Sequence, residues 1–264
     1  MSDEYAYVGS ELDLFARATH WKRYVRDQIA PYLGEDVLEV GAGLGGTTRV
    51  LCRGTQRRWL GLEPDAALAA RLEIEIQSGR LPGCCEARVG TIEQLDSAEM
   101  FDTLLYIDVL EHIEDDRCEV LRASRRLRPG GHLIALSPAH QWLFTPFDQA
   151  IGHHRRYSRQ TMASLAGLDL EAVRLIYLDS IGFFASLANK LILKSAMPTA
   201  SQIAFWDRVL VRMSRVVDPV VAYQAGKSVL AVWRKREPSN RRESETDHTP
   251  GSGKKATTDP DQRP

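Results

Sequence analysis

Long hydrophobic runs are missing from this 264-residue chain. No uninterrupted apolar stretch approaches the ~20 residues that a bilayer-spanning helix needs, which excludes a helical membrane protein. An excess of charge of one sign is missing too. With a formal net charge of −1, the chain lacks the bulk positive potential that would hold nucleic acid, so no nucleic-acid partner is expected. Cysteine is scarce. Cys52, Cys84, Cys85 and Cys118 form no Cys-x-x-Cys pair and no metal-ligand spacing, which points to reduced thiols in a cytosolic protein. No basic start followed by an apolar run marks a signal peptide, so a cytoplasmic location is expected. Internal repeats are absent. What is present, 44% hydrophobic and 26% charged residues, is ordinary for a soluble globular protein.

The hydrophobic pattern alternates between two periods. Residues 11–33 have helical spacing, with Leu12, Phe15, Trp21, Tyr24, Val25, Ile29 and Tyr32 over one face and Pro31 and Gly34 at the end. Short apolar strands follow at 37–40, 58–63, 86–89, 101–107 and 132–137, with helices expected at 47–53, 64–78 and 115–127. Arg128-Pro129-Gly130-Gly131 reads as a turn. Strands separated by helices of this length imply parallel pairing through right-handed crossovers. A helix near 159–166, a strand near 172–178, helices over 180–223 and a strand at 229–233 complete the pattern. From Glu237 onward the composition is too polar to bury much surface. The expected division is a helical cap at 1–34, a core at 35–178, a helical insert with the final strand at 179–236, and a disordered tail at 237–264.

The most informative stretch is Val37-Leu38-Glu39-Val40-Gly41-Ala42-Gly43-Leu44-Gly45-Gly46. It reads as a buried strand entering a glycine loop where backbone can turn tightly and press against a ligand. Such units bind nucleotides at the carboxyl edge of a parallel sheet. Gly41, Gly43 and Gly46 also satisfy Gly-x-Gly-x-x-Gly, a weak signal for a dinucleotide on its own. Glu39 separates the two readings, because a carboxylate repels a pyrophosphate and attracts an ammonium group. The loop therefore suits S-adenosyl-L-methionine, whose methionyl end is cationic. Glu63, at the end of the second strand with Pro64 beside it, is placed to accept hydrogen bonds from ribose hydroxyls. Gly90-Thr91-Ile92-Glu93 follows the third strand, where Ile92 can pack on an adenine face and Thr91 or Glu93 can meet its amine. The fourth strand delivers Asp108 to the same edge. His112 is read as structural, and the spacing of Asp108, Glu111 and His112 does not establish a metal site.

Taken together, Glu39-x-Gly41-x-Gly43, Glu63, Asp108-Val-Leu-Glu-His-Ile and Arg128-Pro129-Gly130-Gly131 resemble the ordered motifs of class I S-adenosylmethionine-dependent methyltransferases. The resemblance covers roughly residues 20–178. It implies an α/β fold: a Rossmann-like, mostly parallel seven-stranded sheet with helices on both faces and the last strand antiparallel. It also implies that Glu39 and Gly41 hold the methionine moiety and Glu63 the ribose. Thr91 stands where members of the family often carry an acid, which leaves adenine recognition to Glu93 or to backbone.

A narrower resemblance, of Asp148-x-x-x-Gly152-His153-His154-Arg155-Arg156-Tyr157-Ser158, is to the Gly-His-x-Arg-Arg-Tyr segment of a bacterial small-molecule methyltransferase subgroup. On the residues alone, His153, His154 or His140 can serve as a general base and Tyr157 as a hydrogen-bond donor. Arg155 and Arg156 can clamp an anionic oxygen, or pair with Asp148 and other acids. Trp21, Tyr24 and His140 join the arginines as acceptor-binding candidates. The expected reaction is O-methylation of a small acidic or hydroxyl-bearing metabolite. Phe183, Phe184 and their neighbours are expected to cap the pocket, while Lys190, Lys194, Arg208, Arg212 and Arg215 leave contact with a lipid surface open. An NAD(P)-dependent oxidoreductase and a non-catalytic methyltransferase-like subunit are the alternatives.

Overall fold

A computed structural model describes residues 17–188 and 199–237 of the chain. Leu12 and Phe15, Lys190 and Lys194, and the expected tail beyond Glu237 lie outside the described residues. The first described helix, α1 (Thr19–Ile29), buries Trp21, Tyr24, Val25 and Ile29, the face that the helical spacing marks. Then come β1 (Asp36–Val40), α2 (Thr48–Leu51), β2 (Arg58–Glu63), α3 (Ala66–Gln77), β3 (Cys85–Val89), β4 (Phe101–Ile107), α4 (Asp116–Arg125) and β5 (Leu127–Pro138). Two short helices, α5 (Pro146–Ala150) and α6 (Arg159–Ala163), lead to β6 (Leu170–Leu178). The insert contains α7 (Ser180–Ala188), α8 (Ala200–Phe205), a π-helical turn at Trp206–Leu210 and α9 (Val211–Val220), and β7 (Ser228–Lys235) closes the sheet.

The seven strands lie in the order β3-β2-β1-β4-β5-β7-β6. The first five pair in parallel, and β7 runs antiparallel between β5 and β6. All five residues of β1 are buried, as expected of a central strand covered on both faces. Alternate residues feed two cores. Leu38, Leu60, Leu104 and Leu133 enter one; Val37, Trp59, Leu105 and Ile134 enter the other. The strand order reverses between β1 and β4, and a crevice opens there beyond the carboxyl ends of the strands.

One element differs from its expected form. The turn at 128–131 is the start of β5, which already pairs at Phe101 with Leu127 and shifts register before Thr103. Gly130 takes φ +77, and a Cβ on Gly131 would sit 2.8 Å from the Asp102 carbonyl oxygen. The glycines form a bulge that bends the strand without ending it.

Three buried aspartates fix the insert to the body. Asp207 accepts the backbone N–H groups of His20 (3.2 Å) and Trp21 (2.8 Å), satisfying first-turn donors of α1 that have no partner within the helix. Asp218 accepts the Tyr24 hydroxyl at 2.7 Å and the N–H groups of Asp179 and Ser180. Asp179 accepts Ser214 Oγ at 2.7 Å and Trp206 Nε1 at 2.6 Å. Tyr24 is therefore a strut between α1 and α9 rather than an acceptor contact. On the outer side of the insert Phe205, Val209, Met213, Val216 and Val220 are exposed at helical spacing. No helix among the described residues is long and apolar enough to cross a membrane.

Candidate functional site

The glycine loop follows β1 at the crevice. Gly41 has φ +68, donates to the Leu62 carbonyl at 2.8 Å, and has Val109 Cγ2 only 2.7 Å from where a Cβ would stand. Gly43 has φ +54 and meets nothing within 4 Å, so its bare backbone faces open space. Behind the loop, Glu39 is 2% exposed and accepts both Thr48 Oγ1 and Trp59 Nε1 at 2.7 Å on one oxygen. Burial pushes its carboxyl up to about 7, against the pull of those bonds and of the Lys22 ammonium. Glu63 accepts the Gly43 N–H at 2.8 Å and the Asp65 N–H at 3.1 Å. Burial also raises its pKa. Two carboxylates thus brace the loop that the sequence singles out.

The loop opens on a cavity of about 250 Å³. Of the residues expected at a site, Trp21, Gly41, Gly43, Asp108, His153 and Arg156 line it. Asp108 takes φ +56 where the chain leaves β4, and its N–H is held by the Leu136 carbonyl at 2.8 Å. Arg156 makes a two-pronged bond to Asp148, both contacts at 2.8 Å. His153 Nδ1 lies 3.0 Å from Asp148 Oδ1, and the capping hydroxyl of Thr145 reaches Oδ2. Burial opposes the charge on Asp148, but the His153, Arg156 and Thr145 bonds outweigh it and hold the carboxyl well below the usual range. Arg156 is thereby a partner of Asp148, not a free anion clamp.

Other expected residues stand elsewhere. The Tyr157 hydroxyl is buried against Asp116 Oδ2 at 2.6 Å and the Leu110 carbonyl at 3.1 Å, so it presents no proton to the cavity. Arg155 pairs with Asp116 at 2.7 Å and the Glu114 carbonyl. His154 is outside the cavity lining and its N–H reaches the Glu111 carbonyl. His140 bonds the Gly226 carbonyl at 3.0 Å and packs among Tyr177, Phe183 and Trp142. Ile92 is buried in the core with Leu62, and Glu93 pairs with Arg122 at 2.6 Å. The Thr91 N–H is held by Gln94 in a capping box. Pro64 is half-buried and outside the cavity lining.

The cavity also collects residues that sequence reasoning passed over. Lys22, Trp206 and Lys227 line it, with the Lys227 ammonium 4.4 Å from the Trp206 ring centroid. Lys22 follows Trp21 on a face the helical spacing already marks, so it was findable. Trp206 and Lys227 come from the insert and the entry to β7, and only the folded topology brings them to the crevice. Glu111 and His112 line it too.

A methyltransferase-domain family model matches residues 38–133, the segment that carries the loop, both bracing carboxylates and Asp108. The ubiquinone biosynthesis O-methyltransferase of Bradyrhizobium sp. (strain ORS 278) is 29% identical over 112 residues, 41% of this chain and 42% of that one. Over this segment the chain is similar to methyltransferases. The demethylmenaquinone methyltransferase of Tropheryma whipplei (strain Twist) is 28% identical over 171 residues, 62% of this chain and 65% of that one. The chain thus matches less than two thirds of the length of these relatives. The fold itself is shared with the N-methyltransferase NodS of Bradyrhizobium japonicum WM9, solved with S-adenosyl-L-homocysteine. That match has a TM-score of 0.55 at 18% identity, covering 87% of this chain and 93% of the other.

Proposed function

We propose that the chain is a class I methyltransferase that moves the methyl group of S-adenosyl-L-methionine to an oxygen of a small acceptor in the 250 Å³ cavity. The observation that carries the reading is the pairing of Glu39 and Glu63 with a glycine loop whose Gly43 backbone faces open space. Glu39, with Lys22 within electrostatic range, supplies the negative charge for the methionyl ammonium, and Gly41 and Gly43 admit its backbone. Glu63 exchanges its Gly43 bond for ribose hydroxyls. With Glu93 paired to Arg122, the adenine edge falls to the backbone after β3.

The reaction is an in-line displacement: the O–CH3 bond forms as the S–CH3 bond breaks, and S-adenosyl-L-homocysteine leaves. Alignment of the two partners accounts for up to ~7–11 kcal/mol of such a barrier. Trp21 from α1 and Trp206 from the insert form apolar walls that hold the acceptor against the methyl group. The cluster of Asp108, Glu111 and His153 at the cavity takes the acceptor's proton when the oxygen is not already ionised. The names of the quinone-pathway relatives support an acceptor with an acidic ring hydroxyl.

Purified protein mixed with methyl-labelled donor and a panel of phenols, quinols and carboxylic acids tests this directly. Transfer to a hydroxyl of at least one acceptor is the expected result. Binding of NAD in place of the donor, or donor binding with no transfer to any member of a broad panel, contradicts it.

A further inference from the structure

Cys52, Cys84 and Cys85 show no ligand spacing in sequence, yet the fold gathers their sulfurs. Cys52 caps the C-terminal end of α2, Cys84 lies in the turn before β3, and Cys85 opens that strand. The Cys52 and Cys84 sulfurs are 3.5 Å apart, and the Cys85 thiol donates to Cys52 Sγ at 3.6 Å. All three lie within 4.8 Å of one another. Backbone bonds fix each position. The Cys52 N–H reaches the Thr48 carbonyl at 2.9 Å, the Trp59 N–H reaches the Cys84 carbonyl at 2.8 Å, and the Cys85 N–H reaches the Pro82 carbonyl at 3.0 Å. Cys52 and Cys85 are buried and Cys84 is half-buried, so the group is open to solvent past Cys84. The fourth cysteine, Cys118 on α4, stands outside the group.

We infer that Cys52, Cys84 and Cys85 form a binding site for a thiophilic cation of the zinc class, behind the glycine loop and outside the cavity. Thiolate sulfur is the ligand that such ions select. Around a tetrahedral ion with ~2.3 Å bonds to sulfur, thiolates stand roughly 3.8 Å apart. The observed spacing reaches that geometry with small rotamer shifts. A disulfide would join two of the sulfurs and leave the third stranded, whereas an ion engages all three. An oxygen for the fourth position is at hand, because the Cys52 thiol donates to Gln56 Oε1 at 3.7 Å; Gln56 or water completes the tetrahedron. The ligands bind as thiolates. The Cys85 bond pulls the Cys52 thiol down to about 6, against the effect of burial, and an incoming ion displaces the protons of the other two. An ion here anchors the end of α2, whose Thr48 bonds Glu39 at 2.7 Å and whose Leu51 lines the cavity. Its role is to clamp the helix behind the glycine loop to the entry of β3. The inference does not rest on methyl transfer.

The test titrates reduced, chelator-treated full-length protein with Cd2+ and Co2+, read by sulfur-to-metal charge-transfer absorption, with Zn2+ as the competing ion. That absorption reports thiolate ligands alone, so an ion held elsewhere by carboxylate or imidazole is not counted. One thiolate-bound ion per chain is the expected result. At saturation Cys52, Cys84 and Cys85 should be protected from alkylation while Cys118 still reacts. Cys52→Ala and Cys84→Ala should each weaken binding by roughly tenfold or more, and Cys118→Ala should leave it unchanged. Zinc should raise the melting temperature of the wild type more than that of Cys84→Ala. Melting curves also confirm that each variant folds; if neither ligand variant does, the wild-type absorption and alkylation pattern decide. No charge-transfer band from reduced, folded wild type, equal affinity in Cys84→Ala, or alkylation of all the cysteines at saturating ion overturns the inference.

Discussion

Glu39 and the two glycines beyond it make the sharpest residue-level predictions. With its carboxyl at about 7, Glu39 is mostly ionised at pH 7.5 and mostly protonated at pH 6. Only the ionised form attracts an ammonium, so affinity for S-adenosyl-L-homocysteine should fall roughly eightfold between those pH values, with proton release on binding at the lower one. A flat profile by calorimetry contradicts the assignment. The glycines should separate. Gly41→Ala forces a side chain onto Val109 at a left-handed backbone position and should lower the melting temperature as well as donor affinity. Gly43→Ala meets no neighbour, so it should spare the fold more and reduce donor affinity by intruding on the cavity. Glu39, Gly41, Gly43, Glu63 and Asp108 were legible in sequence because a strand end fixes where the next residue points. Tyr24 and Tyr157 were not, since the carboxylates they meet, Asp218 and Asp116, lie 194 and 41 residues away.

Among the elements, strands were easier to read than the insert. Short, near-continuous apolar runs mark β1, β2 and β4 to within a residue or so, because each is buried on both faces of the sheet. The start of β5 was not legible, since its proline and two glycines signal a turn and only the pairing of Phe101 with Leu127 shows a bulge. The insert depends on Asp179, Asp207 and Asp218, buried polar anchors that carry no periodic signal. Tyr24→Phe removes one hydroxyl from Asp218 while two backbone donors stay. It should therefore destabilise the fold by about 1–2 kcal/mol, visible as a lower urea midpoint, and leave methyl transfer intact. A large fall in kcat with unchanged stability would return Tyr24 to the acceptor site. Asp207→Ala should act differently. It uncaps α1, which carries Trp21 and Lys22 into the cavity, and should weaken donor binding along with stability.

Across the molecule, the switch in strand order between β1 and β4 gathers residues from 18 to 228 around one cavity, and Trp206 of the insert adds to its wall. The exposed row from Phe205 to Val220 lies on the same helical insert as Trp206. If the acceptor is lipid-related, this face should bring the protein to vesicles of anionic phospholipid. Val216→Asp with Val220→Asp should abolish co-sedimentation, whereas equal sedimentation of wild type and variant would remove the face from that role.

The most direct measurement is a calorimetric titration of S-adenosyl-L-homocysteine into wild type and Glu39→Gln at pH 7.5, beside melting curves for both. The account predicts one molecule bound per chain in the wild type and at least tenfold weaker binding in the variant, with both proteins folded. No heat of binding from folded wild type, or equal affinity in the two, contradicts it.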